Sequence, residues 1–465
     1  MIRHAPVGVV SDMTSPLTLL FLLACGGDAV SDLGDSADTG TAVTHDTASD
    51  APAPVPTEIS AEVSPYVGTV VRVRWTIDGP GTSQVLWDGG ESAVLDNSIG
   101  DAEVLLVGLD PDALLSLWVR SQHGDDAVDS EPFEVTTGAL PQGLPTLEVD
   151  LLAEGADDGW VLGSTQGASP AVFVMDRDGR IVWWHVDDTL YGDFAPTEDG
   201  LVFLGSNPAG RTLHTISWWG ETVSSVTLKD AHHAFGLHDD GSVSFIATDK
   251  RAWDTYDRVA GDAIRHLAVD GDITETWNVW DYLEPVPASN WDSPYYSDAE
   301  DWTHANGLDV DPTDETALIT LTNVDALALV DLQTGALLEG SELLGGTWAT
   351  AAGEALDFPH DVHRLDADTL LMTTAVDGET VAAEYAHVDG VWSRTWQHGS
   401  IEPVSSSAGG SVDRLASGNT LIGWGRSSAV EEVTADGDVV WHGTFLRGAA
   451  LGGFEGIDVG PWATR

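Results

Sequence analysis

The chain is poor in cysteine and lysine. Among 465 residues there is one cysteine, Cys25, and there are two lysines, Lys229 and Lys250. A single thiol excludes an internal disulfide framework and a cysteine-clustered metal centre. Lysine and arginine together number 18 against 76 acidic residues, a formal net charge of −58. Such a surface repels phosphate backbones and anionic headgroups, so nucleic acid is set aside as a partner. It also means that an anionic substrate needs a locally positive site. No apolar run is long enough to span a bilayer, and no long amphipathic helix pattern is present.

One short apolar run, Leu17 to Ala24, precedes the cysteine. The string Leu22-Leu23-Ala24-Cys25-Gly26 resembles a bacterial lipobox. In that reading residues 1–24 are a lipoprotein-type signal peptide and Cys25 takes the lipid. Membrane contact would then be through this anchor only. No aspartate follows Cys25, so the expected location is the cell envelope, as an outer-membrane lipoprotein, or the secreted fraction. An ordinary secretory leader or a buried core cysteine are the alternatives, and either Met1 or Met13 can serve as the start. Residues 25–57 are Asp, Ser, Thr, Ala, Gly and Pro-rich and read as a disordered acidic linker.

Residues 58–138 alternate apolar and polar positions in short runs. Val71, Val73 and Trp75 share one face of a strand, and Ser83 to Trp87, Glu103 to Leu106 and Leu115 to Arg120 repeat the pattern. This length and strand number predict a small β-sandwich, similar to a fibronectin type III module.

From 139 to 465 a different unit recurs: apolar strand, Asp-Gly-type turn, strand with tryptophan. It is seen at Val172–Trp183, His266–Trp277 and Val430–Trp441, and at Ala328–Leu338 without the tryptophan. A second unit interleaves with it, at Gly200–Leu204, Gly241–Ile246, Thr369–Thr373 and Gly418–Ile422. The recurrence predicts an all-β fold, a six-bladed β-propeller preceded by the sandwich, although a seventh blade also fits. The tryptophans are expected to pack between successive sheets.

Three histidine segments are distributed along this region: Ala231-His232-His233-Ala234-Phe235, Asp301-Trp302-Thr303-His304-Ala305-Asn306 and Pro359-His360-Asp361-Val362. Each precedes a strand at the start of a repeat, which would bring His233, His304 and His360 to one axis. Histidine there is titratable near neutrality and offers both donor and acceptor nitrogens.

These segments, with Arg414-Leu415-Ala416-Ser417-Gly418-Asn419-Thr420-Leu421-Ile422-Gly423-Trp424-Gly425, resemble four ordered motifs of the bacterial aryl-sulfate sulfotransferases that use no nucleotide donor. The resemblance implies ping-pong sulfuryl transfer without a cofactor or metal, from a phenolic sulfate donor to a phenol acceptor. His360 would be the nucleophile, His304 and His233 would hold sulfate oxygens or shuttle the phenol proton, and Asn306 would lie at the substrate. Two positions depart from the family. Its arginine falls at Thr322, and the aspartate after its first histidine pair falls at Ala234, which would leave one imidazole without an orienting partner. Arg426 is the expected replacement for the lost charge. A catalytically impaired propeller that binds a ligand or protein partner is the alternative, and a histidine-ligated iron or zinc enzyme is a third reading.

Overall fold

The computed structural model describes residues 52–97, 99–166, 170–186, 190–207, 210–287, 295–402, 404, 410–446 and 450–457. The signal peptide, Cys25 and the linker up to residue 51 lie outside the described residues. The described chain is all-β. Short 3-10 turns interrupt its strands, and no α-helix occurs among the described residues. No helix there is long and apolar enough to cross a membrane.

The first strands form two antiparallel sheets. Thr57–Val63, Val71–Ile77 and Gly100–Leu106 make one, and the other is built around Gly81–Trp87 and Leu114–His123. Alternation sets their facing. Val71, Val73, Trp75 and Ile77 are buried with Val85, Leu117 and Val119 in one core, while Arg72 and Arg74 point outward to Glu103. Ala53, Pro54 and Pro56, which precede the first strand, are buried.

Six further sheets of four or five strands follow. One end strand of each, here called inner, is Leu190–Pro196, Ala231–Leu237, Ala305–Asp311, His360–Asp366, Ser411–Arg414 or Ala450–Ile457. Each lies against the next, and Ala450–Ile457 also lies against Leu190–Pro196. Two sheets combine distant parts of the chain. Leu147–Leu152 pairs with Val439–Phe445, and Trp160–Gln166 pairs with Ala450–Ile457.

The two repeated sequence units correspond to different strands of each sheet. Gly200–Asn207, Val243–Trp253, Thr369–Val376 and Thr420–Gly423 are second strands. The Asp-Gly units are the outer hairpins. At Asp176–Arg180 the Gly179 N–H donates to Asp176 O at 3.0 Å, Gly179 has φ 79°, and the register slips between Val174 and Met175. Gly437, at φ 91°, makes the same bulged turn. A left-handed residue is required there, which glycine adopts without a side-chain clash. Tryptophans fill the layers between sheets: Trp183, Trp218, Trp302, Trp424 and Trp441 are fully buried, and Trp183 meets Trp218 edge-on at 5.4 Å.

Candidate active site

His233 and His360 lie on inner strands and His304 lies immediately before a third, and the pairing of these strands is irregular near the histidines. Register slips occur between Ala231 and Phe235, Ala305 and Leu308, and His360 and His363. Left-handed backbone accompanies the slips: φ is 53° at His233, 48° at His304 and 50° at Asp361. These are unfavourable values for residues other than glycine, and bulges of this kind redirect side chains out of the pleat.

The redirected rings converge. His233 and His304 lie 5.0 Å apart, edge to face. Both His304 and His360 act electrostatically on His233, so the third imidazole belongs to the same cluster. Tyr295 packs into it, stacked on His233 at 5.0 Å and edge-on to His304 at 4.7 Å. Its hydroxyl accepts from Arg211 Nη2 at 3.1 Å.

Each imidazole has a different setting. His232 Nε2 and Asp262 Oδ1 are 2.9 Å apart, and His232 Nδ1 and His233 Nδ1 are 2.8 Å apart. The carboxylate fixes the proton on His232 Nε2, so His232 Nδ1 accepts from His233 Nδ1–H. His233 Nε2 is left with its lone pair. Asp262 is held in turn by Thr303 Oγ1 at 2.7 Å and Ala305 N at 2.6 Å. Burial alone would raise its carboxyl, but His232, Thr303 and the Ala305 N–H hold it below the usual range. His304 Nδ1 lies 2.6 Å from Asp301 Oδ2, which frees Nε2. His360 Nδ1 has no hydrogen-bond partner among the described residues. Burial, with the neighbouring His304, lowers the His360 pKa despite Asp361. Burial and the surrounding histidines and Arg211 push His233 far down, so it is neutral at pH 7.

Ala234 does not leave its neighbours unoriented. The partner comes instead from Asp262, on the third strand of the same sheet. Thr322 is buried and bonds to Pro359 O at 2.7 Å, while accepting from Asn306 Nδ2 at 2.8 Å. It ties two inner strands together. Asn306 Oδ1 is buried without a partner among the described residues. Arg426 is exposed on the 3-10 turn Gly425–Ser427. The cation beside the histidines is Arg211, on the strand Gly210–Ser217. No three His, Cys, Asp or Glu side chains among the described residues are set to hold a metal ion.

Carboxylates also connect the inner strands. Asp193 Oδ2 accepts from Phe235 N at 3.1 Å, Asp309 from Arg364 N at 2.8 Å, Asp361 from Val412 N at 2.8 Å and Asp413 from Gly456 N at 2.7 Å. Asp361 therefore clamps the next strand and faces His363, 3.7 Å away, rather than bonding to His360. His363 and Asp361 are enclosed by protein yet retain 34% and 29% side-chain exposure, so water reaches this layer. Burial pushes the Asp193 carboxyl up to about 7, with Asp361 adding to the shift. Burial and the surrounding carboxylates raise Glu455 as well. The Asp361 carboxylate outweighs burial at His363 and raises it to about 10.

A family model described as Arylsulfotransferase (ASST) matches residues 150–338, a distant match over part of the chain that supports a sulfotransferase-like role in general. No curated protein sequence matches the chain. Among solved structures, a protein of unknown function from Bacteroides caccae is 11% identical, with TM-score 0.41, covering 65% of this chain and 99% of its own. TolB from Acinetobacter baumannii is 9% identical, with TM-score 0.43, covering 75% of this chain and 80% of its own. A catalytically inactive virginiamycin B lyase from Staphylococcus aureus is 12% identical, with TM-score 0.37, covering 66% and 92%.

Proposed function

We propose that this chain transfers a sulfuryl group from a phenolic sulfate ester to a phenol, through a sulfohistidine at His360. In this reading the six sheets are blades of a propeller. The two smaller sheets form a fibronectin type III-like domain ahead of it, and Cys25 carries a lipid anchor at the cell envelope. The observation that carries the reading is the gathering of three imidazoles from the starts of three separate sheets, each in a different hydrogen-bonding state.

The chemistry follows from those states. Neutral His360 offers a nitrogen lone pair to the sulfur, and the N–S bond forms as the bond from sulfur to the aryl oxygen breaks. His304, in its protonated form, gives its Nε2 proton to the departing phenolate, with Asp301 stabilising the imidazolium. A phenol acceptor then returns a proton to that nitrogen. Its oxygen bonds to sulfur as the N–S bond breaks. His233, fixed with its Nε2 lone pair free, can take the acceptor proton in the same way.

The test is release of 4-nitrophenol from 4-nitrophenyl sulfate, with and without phenol, in the wild type and in His360→Ala. Acceptor-dependent release, lost in the variant, supports sulfuryl transfer. A folded wild type that releases nothing returns the chain to the reading of a binding propeller, which Thr322, already committed to Pro359 and Asn306, favours.

A further inference from the structure

We propose that Arg211, held by Tyr295, grips the sulfate group of the donor and selects monoanionic sulfate esters over phosphate dianions. This inference rests on the sulfuryl-transfer reading.

Its first support is a guanidinium that has no carboxylate partner among the described residues. The chain carries 76 acidic residues, yet among the described residues no carboxylate pairs with Arg211. Other arginines behave differently: Arg177, Arg180, Arg364 and Arg414 each reach a carboxylate. A half-buried cation with no carboxylate partner among the described residues keeps its charge available to a ligand.

Its second support is position. Arg211 Nη2 donates to the Tyr295 hydroxyl at 3.1 Å, and the Tyr295 ring contacts both His233 and His304. The tyrosine therefore fixes the guanidinium beside the imidazoles. A guanidinium has five N–H donors in a planar fork, and the bond to Tyr295 uses one of them. The remaining donors suit an oxyanion with two oxygens facing one way. The segment that carries Tyr295 is itself fastened. Tyr296 bonds to Thr248 at 2.8 Å, and Asp298 takes Lys250 at 2.6 Å and Arg258 at 2.5 Å.

The charge balance sets the preference. His233 is neutral, and Asp262 and Asp301 stand behind the histidines. The His304 imidazolium of the reaction is balanced by Asp301, so Arg211 supplies the positive charge without a carboxylate partner among the described residues of this wall. It balances a sulfate monoester, which carries one negative charge, and leaves one charge of a phosphate monoester dianion without a partner.

The experiment measures binding of inorganic sulfate and of 4-nitrophenyl sulfate by calorimetry, together with KM and kcat, on full-length wild type, Arg211→Gln, Arg211→Lys and Tyr295→Phe. Melting curves check folding. The expected result is affinity for both anions about 10- to 100-fold weaker in Arg211→Gln, partly restored in Arg211→Lys. Tyr295→Phe should show a smaller loss, and KM for neutral phenol should not change. Wild type should bind 4-nitrophenyl sulfate more tightly than 4-nitrophenyl phosphate. Unchanged anion affinity in a folded Arg211 variant overturns the inference while leaving sulfuryl transfer intact. Arg211-dependent sulfate binding without turnover keeps the inference and removes the reaction. A wild type that neither binds nor cleaves overturns both. If Arg211→Gln fails to fold, Arg211→Lys and Tyr295→Phe decide by the same readouts.

Discussion

His232 and His233, neighbours in the chain, meet through their Nδ1 atoms at 2.8 Å, with His232 anchored to Asp262 on its far side. A carboxylate and one imidazole thus set the tautomer of a second imidazole. Asp262→Asn presents an amide that can favour the opposite tautomer of His232. The expected outcome is a loss of about 10²–10⁴ in kcat with 4-nitrophenyl sulfate and a small change in KM, because the defect is in proton placement. Equal kcat in a folded Asp262→Asn enzyme would remove the relay from the mechanism.

Thr322 occupies the position where the resembled family has arginine, and restoring that arginine should not help. Its hydroxyl sits buried between Pro359 O and Asn306 Nδ2. Thr322→Arg forces a long charged side chain into that space and breaks both bonds. A loss of about 1–3 kcal/mol or more in stability is expected from overpacking, without a gain in turnover. Denaturant melts and the 4-nitrophenol assay check this together.

The carboxylate layer gives stability a definite pH slope. Asp193 holds its proton to about pH 7 when folded, far above an unfolded aspartate. Between pH 4 and 7 the folded state therefore binds more protons, and stability falls as pH rises. His363, raised to about 10, adds stability that is complete below its unfolded value and disappears as pH climbs through 10. Both effects have the same sign, while the depressed His233 and His360, which the unfolded chain protonates first, oppose them below about pH 6.5. The test is therefore a difference: between pH 4 and 7 the melting temperature of Asp193→Asn should gain on that of the wild type as pH rises. A variant with the wild-type slope over that interval refutes the assignment.

Arg177 and Glu432 lie 2.8 Å apart with exposures of 7% and 0%, in contact although not aligned as a hydrogen bond. Glu432 also accepts from Asp157 N at 2.7 Å and Asn419 Nδ2 at 2.6 Å. Arg177→Ala leaves a buried carboxylate without its cation, and about 3–5 kcal/mol of stability should be lost. Glu432→Gln in the same background should recover part of it, measured by urea unfolding.

Local pattern carried much of the fold. Period-two alternation placed Val71, Val73 and Trp75 in the core, and Asp-Gly turns marked the outer hairpins, because both signals depend on residues adjacent in the chain. The inner strands were harder to delimit, since their pairing breaks at the histidines themselves. At the site, the histidine segments were visible and their supports were not. Asp262 comes from the third strand of the His233 sheet, Arg211 from a neighbouring sheet and Tyr295 from a connecting segment. No fixed spacing links these positions to the histidines. Two signals were present all the same. Arg211 is one of only 18 lysine and arginine residues, and Tyr295-Tyr296 concentrates two of seven tyrosines. Arg426 follows a motif closely in sequence, yet it is exposed on its turn, because nearness along the chain does not set distance in a folded sheet.

The exchange of terminal strands has a consequence for the order in which this protein can mature. Trp160–Gln166 leaves its edge bare until Ala450–Ile457 arrives, and Leu147–Leu152 waits for Val439–Phe445. Nearly three hundred residues separate each pair, so these contacts form late and slowly relative to the local hairpins. A nascent chain that stops short of 450 would expose backbone donors and acceptors along Trp160–Gln166, an invitation to pair with another unfinished copy. Folding speed and aggregation during synthesis are therefore tied to the arrival of Ala450–Ile457, far along the chain from the strands that wait for it.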